Sequence, residues 1–246
     1  MITPDQGYFF GIGAFETVAV EEGNPVLLKE HYERLFRAME FFHLKLSADE
    51  LEEKVGKALE DAFMKTGRKV LKITASEKNL LVTTRENIYE EKHYEKGFST
   101  DFCCVRRNET SPLTYHKTLN YGDCLREKHL AHDRGVDEPD FLITKGIIAE
   151  GATTNVFFVK NGEIFTPSVE CDLLPGIMRA YICRRNHVCE KDIDPGEIDD
   201  FDEMFLTNSL LGVMPVSVMG RHRFPSGSVS HKLLKAYREF CREGKI

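Results

Sequence analysis

The sequence predicts an α+β fold in two parts, and three observations predict it. Runs of β-branched and aromatic residues separated by turn residues open the chain, helical apolar periods follow them, and a polar stretch without any apolar period, R-R-N-E-T-S-P over residues 106–112, interrupts the pattern. The expected boundaries are an N-terminal α+β domain over 1–105, a linker over 106–112 and a second domain over 113–246.

Taken in order, G-Y-F-F-G-I-G-A-F-E-T-V-A-V-E-E-G-N-P-V-L-L reads as strand, turn, strand around E-E-G-N-P. Gly11-x-Gly13 is not a dinucleotide fingerprint, since Glu16 stands where the third glycine belongs and strand residues follow instead of a helix. These glycines are expected to let the backbone lie close to another segment or a ligand. Tyr32, Leu35, Phe36, Met39 and Phe42 give a first amphipathic helix, with Arg34 and Arg37 beside its apolar stripe. Ser47 and Glu50 make a capping box for a second helix on Leu51, Val55, Leu59 and Phe63, closed by Gly67. V-L-K-I-T-A-S, N-L-L-V-T-T and F-S-T-D-F-C-C-V are the remaining strands of the first part.

Beyond the polar stretch, Leu119 to Arg134 reads as a helix closed by Gly135, and D-F-L-I-T-K-G-I-I-A-E as strand. V-F-F-V-K-N-G-E-I-F-T-P is a hairpin with Asn161-Gly162 in its turn, a dipeptide that tolerates positive φ. Pro175 stands at the start of a helix near Gly176, E-I-D-D-F-D-E is a short acidic helix, M-F-L-T-N-S and P-V-S-V-M-G are strands, and residues 228–243 close the chain as an amphipathic helix.

Charge and cysteine usage narrow the function. With 33 basic and 40 acidic side chains the net charge is −7, which gives no general attraction to nucleic acid or an anionic membrane. No apolar run approaches the roughly 20 residues of a membrane span, and the first residues lack the basic-then-apolar pattern of a signal peptide, so a cytoplasmic protein is expected. The 7 cysteines show neither C-x-x-C nor zinc-like spacing and are expected to be reduced and mostly interior. His129 and His132 share a helical face but lack further ligands nearby, so no metal is expected there.

The chemistry concentrates in T-Y-H-K-T-L-N-Y around Lys117 and I-A-E-G-A-T-T-N-V-F-F around Glu150. A lysine that carries an aldehyde cofactor must become neutral to attack it, which desolvation or nearby positive charge assists. The phosphate of such a cofactor needs a helix N-terminus with free N–H groups, and Gly176-Ile177-Met178 offers one, with Arg34 and Ser209 as candidates to complete the cup. Its ring nitrogen needs a carboxylate to hold a proton, and Glu150 is the candidate.

The blocks F-G-I-G-A-F-E-T, H-Y-E-R-L, H-K-T-L-N, A-E-G-A-T-T-N-V-F, L-P-G-I-M-R and L-T-N-S-L-L-G-V-M-P-V, in this order along nearly the whole chain, resemble the fold type IV pyridoxal-phosphate enzymes. That family includes branched-chain and D-amino acid aminotransferases and 4-amino-4-deoxychorismate lyase. The resemblance implies a two-domain fold of the D-amino acid aminotransferase kind: a small N-terminal α+β domain and a larger C-terminal domain with a curved, barrel-like sheet. It implies pyridoxal 5'-phosphate as cofactor, Lys117 as Schiff-base lysine, Glu150 at the pyridine nitrogen and Arg34 on the phosphate. Ile177 and Met178 become backbone phosphate donors, Ser209 the phosphate hydroxyl, and Asn155 a further cofactor residue.

The last block separates subfamilies. The aminotransferases carry an acid in a T-x-A-E-I-T-P-V pattern where this chain has Gly212, and L-L-G-V-M-P-V is more similar to the lyases. The R-x-H carboxylate motif of the D-amino acid enzymes is missing between Lys72 and Arg85. Arg106 is either a linker charge or, like a lyase arginine ahead of the lysine, a ligand for a substrate carboxylate. Only Met1–Gln6 precede the first block, where the family has a further strand pair. The resemblance thus implies a lyase that forms p-aminobenzoate and pyruvate in folate biosynthesis, with a branched-chain or D-amino acid aminotransferase as the alternative, and a homodimer acting on a small molecule.

Overall fold

The computed structural model describes residues 2–243. The chain falls into two compact units, the first made of residues up to Ile88, His116–Tyr121 and the end of the chain from Glu239, and the second of Tyr89–Tyr115 and Gly122–Arg238.

In the first unit, α1 (Gln6–Phe10) precedes β1 (Gly13–Glu21) and β2 (Asn24–Pro25). Residues 7–10, expected as strand, are therefore helical. Asp5 caps that turn by accepting from Tyr8 N and also accepts from Ser76 Oγ, Lys78 N and Asn79 Nδ2, so a buried carboxylate selects helix over the strand propensity of Tyr-Phe-Phe. α2 (Leu28–Phe41) and α3 (Ala48–Glu60) follow, then β3 (Arg68–Ser76) and β4 (Leu80–Glu86). The sheet order is β2-β1-β3-β4, antiparallel throughout. Alternation along β1 and β3 sends Ala14, Val18, Val20, Leu71, Ile73 and Ala75 to one face, where Leu35, Met39, Leu51 and Val55 of the two helices cover them. Burying each such side chain contributes about 1.5–3 kcal/mol, which makes this interface the core of the unit.

Ser47 caps α3 by accepting from Glu50 N, but Glu50 turns to Lys54 instead of closing a reciprocal box. The helix ends at Glu60, before Gly67; Asp61 restarts the chain as a 3-10 turn by accepting from Phe63 N.

The second unit contains α4 (Glu91–Lys96), β5 (Phe98–Arg107), α5 (Gly122–Asp133), β6 (Glu138–Ile143), β7 (Ile148–Gly151), β8 (Asn155–Lys160), β9 (Glu163–Thr166), α6 (Ile177–Arg185), β10 (Val188–Glu190), β11 (Glu203–Asn208), β12 (Gly212–Met219), β13 (His222–Arg223) and most of α7 (Ser228–Arg242). Its sheet runs β10-β9-β8-β11-β12-β5-β6-β7, with β13 on β12. Parallel pairs (β9–β10, β12–β5, β5–β6) are mixed with antiparallel ones, and register shifts at Phe102/Arg106, Phe141/Leu142 and Val216/Val218 curl it into a half-barrel. The hairpin at Asn161-Gly162 has both residues at positive φ, 53° and 82°, as the dipeptide requires. The acidic segment 195–200 is a 3-10 turn capped by Asp194.

The division of the chain differs from the one the polar stretch suggests. β5 pairs with β6 and β12, which assigns it to the second unit, so the boundary falls between Ile88 and Tyr89 instead of at 106–112. Residues 117–119 lie alongside β1 (Phe15 N donates to Lys117 O, Leu119 N donates to Gly13 O, and Ala14 bridges Thr118), which places Lys117 in the first unit. α5 accordingly begins at Gly122 and not at Leu119.

Candidate active site

In the first unit, the pairing of 117–119 with β1 fixes where Lys117 stands. Its Nζ lies 4.3 Å from the ring centroid of Phe15 and 5.0 Å from that of Tyr121, and the two rings meet edge to face at 5.1 Å. His116 stacks on Phe41 with centroids 4.2 Å apart. Gly13 permits this arrangement: a Cβ there would strike Ala75 O and come within 2.9 Å of Leu119 Cδ1.

Arg34 is buried on α2 and donates from Nε to Glu16 Oε1 at 2.7 Å and from Nη2 to Glu16 Oε2 at 2.8 Å. His31 Nδ1 contacts the same Oε2 at 2.6 Å, with Glu16 itself fully buried on β1. Burial pushes the Glu16 carboxyl up, but Arg34 and then His31 override it and hold it well below the usual carboxylate range. Burial holds the His31 imidazole below its ordinary value against the pull of Glu16. The candidate phosphate arginine is thus braced by an acid that the sequence reading did not single out. The signal was present: Glu16 occupies a core-facing position in the alternation Ala14, Glu16, Val18.

In the second unit, Glu150 lies buried on β7. Its Oε1 pairs with Arg107 Nη2 at 2.9 Å, and its Oε2 accepts from Leu174 N at 3.1 Å and Asn155 Nδ2 at 3.4 Å. Asn155 also donates to Leu174 O at 3.0 Å, so it ties Glu150 to the segment that leads into α6. Arg107 lies 4.4 Å over the Phe141 ring, and its Nη2 is 3.3 Å from Cys124 Sγ. In sequence Arg107 reads as linker, because it sits inside the polar stretch R-R-N-E-T-S-P. Strand alternation turns its neighbour Arg106 the other way, exposed, with Nη1 donating to Cys103 O at 3.3 Å.

Gly176 is the N-cap of α6 and has no side-chain cap, leaving the N–H groups of Ile177 and Met178 at the start of the helix without one. A Cβ at Gly176 would overlap Asn155 Oδ1, so glycine is needed there. Ser209 stands in the turn between β11 and β12, half-buried; Asn208 fixes that turn by accepting from Leu210 N and Leu211 N, both at 2.9 Å, while donating to Thr153 O at 3.1 Å. Gly212 has φ 67°, and a Cβ there would approach Tyr237 Cε1 to 2.6 Å.

The structure therefore groups Glu150, Asn155 and the start of α6 in one hydrogen-bonded set, places Lys117 and Arg34 on the first unit, and leaves Arg106 exposed. A phosphorylated pyridine aldehyde fits these residues unit by unit. The second unit supplies a buried carboxylate and an uncapped helix N-terminus, and the first an amine on an aromatic pair and a buried guanidinium. Among the described residues no cluster of three or more His, Cys, Asp or Glu suits a metal ion. No helix there is long and apolar enough to cross a membrane.

Known proteins give the same assignment. A model of the family described as amino-transferase class IV matches residues 13–219. The aminodeoxychorismate lyase of Bacillus subtilis (strain 168) is 29% identical over 244 residues, covering 91% of this chain and 83% of the relative. A Thermotoga maritima protein named "Probable branched-chain-amino-acid aminotransferase" is 32% identical over 240 residues, with coverage of 92% and 85%. The crystal structure of 4-amino-4-deoxychorismate lyase from Pseudomonas aeruginosa superposes with TM-score 0.84 at 25% identity, covering 97% of this chain and 94% of that one. With lyases and aminotransferases both among its relatives, the chain belongs to the class IV amino-transferase family of pyridoxal-phosphate-dependent enzymes.

Proposed function

We propose that this enzyme is a lyase that converts 4-amino-4-deoxychorismate to p-aminobenzoate and pyruvate. The observation that carries this reading is Gly212. The aminotransferase pattern has an acid at that place, but here the backbone has positive φ and the space a side chain would take is filled by the Tyr237 ring. The relative from B. subtilis supports the same choice.

In this reading bound pyridoxal phosphate supplies an electron sink for the carbon that bears the substrate's amino group. Lys117 is the covalent tether of the resting enzyme and, once released, the base whose Nζ removes the proton from that carbon. Glu150 would hold the proton at the ring nitrogen, and Arg107 and Leu174 N orient its carboxylate. The N–H groups of Ile177 and Met178, the Ser209 hydroxyl and Arg34 bind phosphate, and Asn155 fixes Glu150 relative to the helix start. The ether C–O bond breaks, the leaving group departs as enolpyruvate and takes up a proton to become pyruvate, and loss of the ring proton together with that group leaves the ring aromatic. The active protein is a homodimer, which sedimentation checks directly.

Incubation with aminodeoxychorismate should release pyruvate, and Lys117→Ala should abolish both that release and the near-visible absorption of the lysine-bound cofactor. If pyruvate does not exceed the Lys117→Ala background, and branched-chain or D-amino acids instead convert the cofactor to its pyridoxamine form, the lyase reading gives way to amino group transfer.

A further inference from the structure

The face of the four-stranded sheet opposite its core carries a charge that cofactor binding does not use. In the register of β1 and β3, Phe15 lies opposite Thr74 and Thr17 opposite Lys72, so all four project from one face, whereas Glu16 and Ile73 project from the other. Lys72 Nζ lies 5.1 Å from the centroid of the Phe15 ring, and Lys117 Nζ lies 4.3 Å from that same centroid. The two ammonium groups therefore lie no farther apart than those two distances laid end to end. Lys72 is exposed and makes no ion pair among the described residues, whereas Lys69 on the same strand pairs with Glu86. Its ammonium lies along a ring, an interaction worth about 0.5–1 kcal/mol at an exposed site, and keeps its three donors for an anion.

We propose that Lys72 binds a substrate carboxylate. This rests on the reading of Lys117 as the reactive lysine. A substrate whose amino nitrogen takes the place of the Lys117 amine extends from there along the Phe15–Tyr121 pair, and Lys72 is the cation on the same ring. The substrate class is an amine with a carboxylate at its far end, held by a point charge without the planar fork an arginine would give. The ring of Phe15 sets the spacing between the two lysines, which makes Phe15 a positioning residue for both.

The test uses the holoenzyme and three variants. Lys72→Met keeps the aliphatic stem over Phe15, Lys72→Glu reverses the charge, and Lys72→Arg restores it. Removing a charge-assisted hydrogen bond should raise KM for the carboxylate substrate about 10- to 100-fold in Lys72→Met. The increase should be larger in Lys72→Glu and largely reversed in Lys72→Arg, with kcat changing far less than KM and near-visible absorption retained throughout. A binding measurement independent of turnover is titration of each holoenzyme with benzoate by calorimetry, with benzamide as the uncharged control. Wild type should bind benzoate more tightly than benzamide, and Lys72→Met should lose that preference. If KM and the benzoate preference in Lys72→Met stay within twofold of wild type, Lys72 is a solvated surface lysine and the proposal is wrong, whatever the enzyme's activity. If wild type neither releases pyruvate nor converts amino acids, the proposed function fails while the benzoate titration still decides the role of Lys72.

Discussion

Two buried glutamates, each held by an arginine, organise the two units in different ways. Glu16 gives both oxygens to one cation, Arg34, which is forked across them, and its Oε2 also meets the His31 ring. Glu150 gives Oε1 to Arg107 and Oε2 to neutral donors, Leu174 N and Asn155 Nδ2. In the first cluster the acid serves the base: it is the counter-charge that allows a guanidinium and an imidazole to stay inside a hydrophobic core. In the second the base serves the acid, keeping a carboxylate oriented on a segment that leads into a helix N-terminus. The difference predicts that loss of Glu16 acts mainly on folding and loss of Arg107 mainly on chemistry.

The largest effect should come from Glu16→Gln. It leaves Arg34 and His31 buried beside a neutral amide, and breaking a buried pair by removing one partner costs about 3–5 kcal/mol. Urea unfolding should show a lower midpoint with an unchanged slope, and a loss no greater than that of exposed Glu50→Gln would end the distinction drawn above. The same cluster sets an acid limit. Folded Glu16 and folded His31 both have depressed affinities for protons, so the unfolded chain binds more protons and stability falls with falling pH. The His31 contribution is lost from about pH 6.5 downward and the Glu16 contribution from about pH 4.3 downward, the ordinary unfolded values. Between pH 7 and about pH 4.3 the melting temperature of Glu16→Gln should fall at least as steeply as that of wild type, because Glu16 raises the His31 value, and only below about pH 4.3 should wild type lose a contribution that the variant lacks.

Arg107→Met should show the opposite balance. On the proposed role of Glu150, losing a charge-assisted hydrogen bond of about 1.5–3 kcal/mol at its carboxylate predicts a kcat lower by about 10- to 100-fold. Melting of the apo form should change by less than in Glu16→Gln. Equal losses of stability in the two variants, with kcat preserved in Arg107→Met, would show that Arg107 is only a structural partner.

The sequence made some of this legible and hid the rest, for identifiable reasons. Periodicity located α2, α3 and α7 because apolar stripes at three- and four-residue spacing report burial against one partner, and N-G at 161–162 reported its turn because few residues tolerate two positive φ values in succession. Helix α1 was hidden because a single tertiary carboxylate, Asp5, outweighs the strand preference of Tyr8, Phe9 and Phe10. The division of the chain was hidden because polarity marks exposure, not connectivity. R-R-N-E-T-S-P begins inside β5, and Arg107 within it is drawn to a buried acid that lies forty-three positions along the chain. Candidates for the site could be named where chemistry demands a residue type, at Lys117, Glu150 and Gly176. It was illegible where a partner only supports another side chain, as Glu16, His31 and Asn208 do.

A third buried acid tests the principle behind the comparison with the smallest expected effect. Asp140, on β6, is fully buried, and among the described residues only the Thr100 hydroxyl lowers its carboxyl against burial, whereas Glu203 on β11 collects donors from Ser226, Ser228, Val229 and Ser230 at the start of α7. Burial pushes the Asp140 carboxyl well above its ordinary range, but the donors around Glu203 overcome burial and hold that carboxyl below its own. A raised value in the folded state means that folding takes up a proton. The Asp140 contribution is fully favourable below its unfolded value near pH 3.9 and is lost as pH rises toward the folded one. Asp140→Leu removes a buried carboxyl that burial and the neighbouring acids Glu138 and Asp101 disfavour, and should raise stability at pH 7 by about 1–3 kcal/mol. The gain should shrink as the pH is lowered toward 4, because there the unfolded chain is also protonated and the linked proton uptake disappears. A gain that stays constant across that range would mean that the aspartate is disfavoured for its shape and not for its charge, and would separate burial of an acid from burial of a polar group at this position.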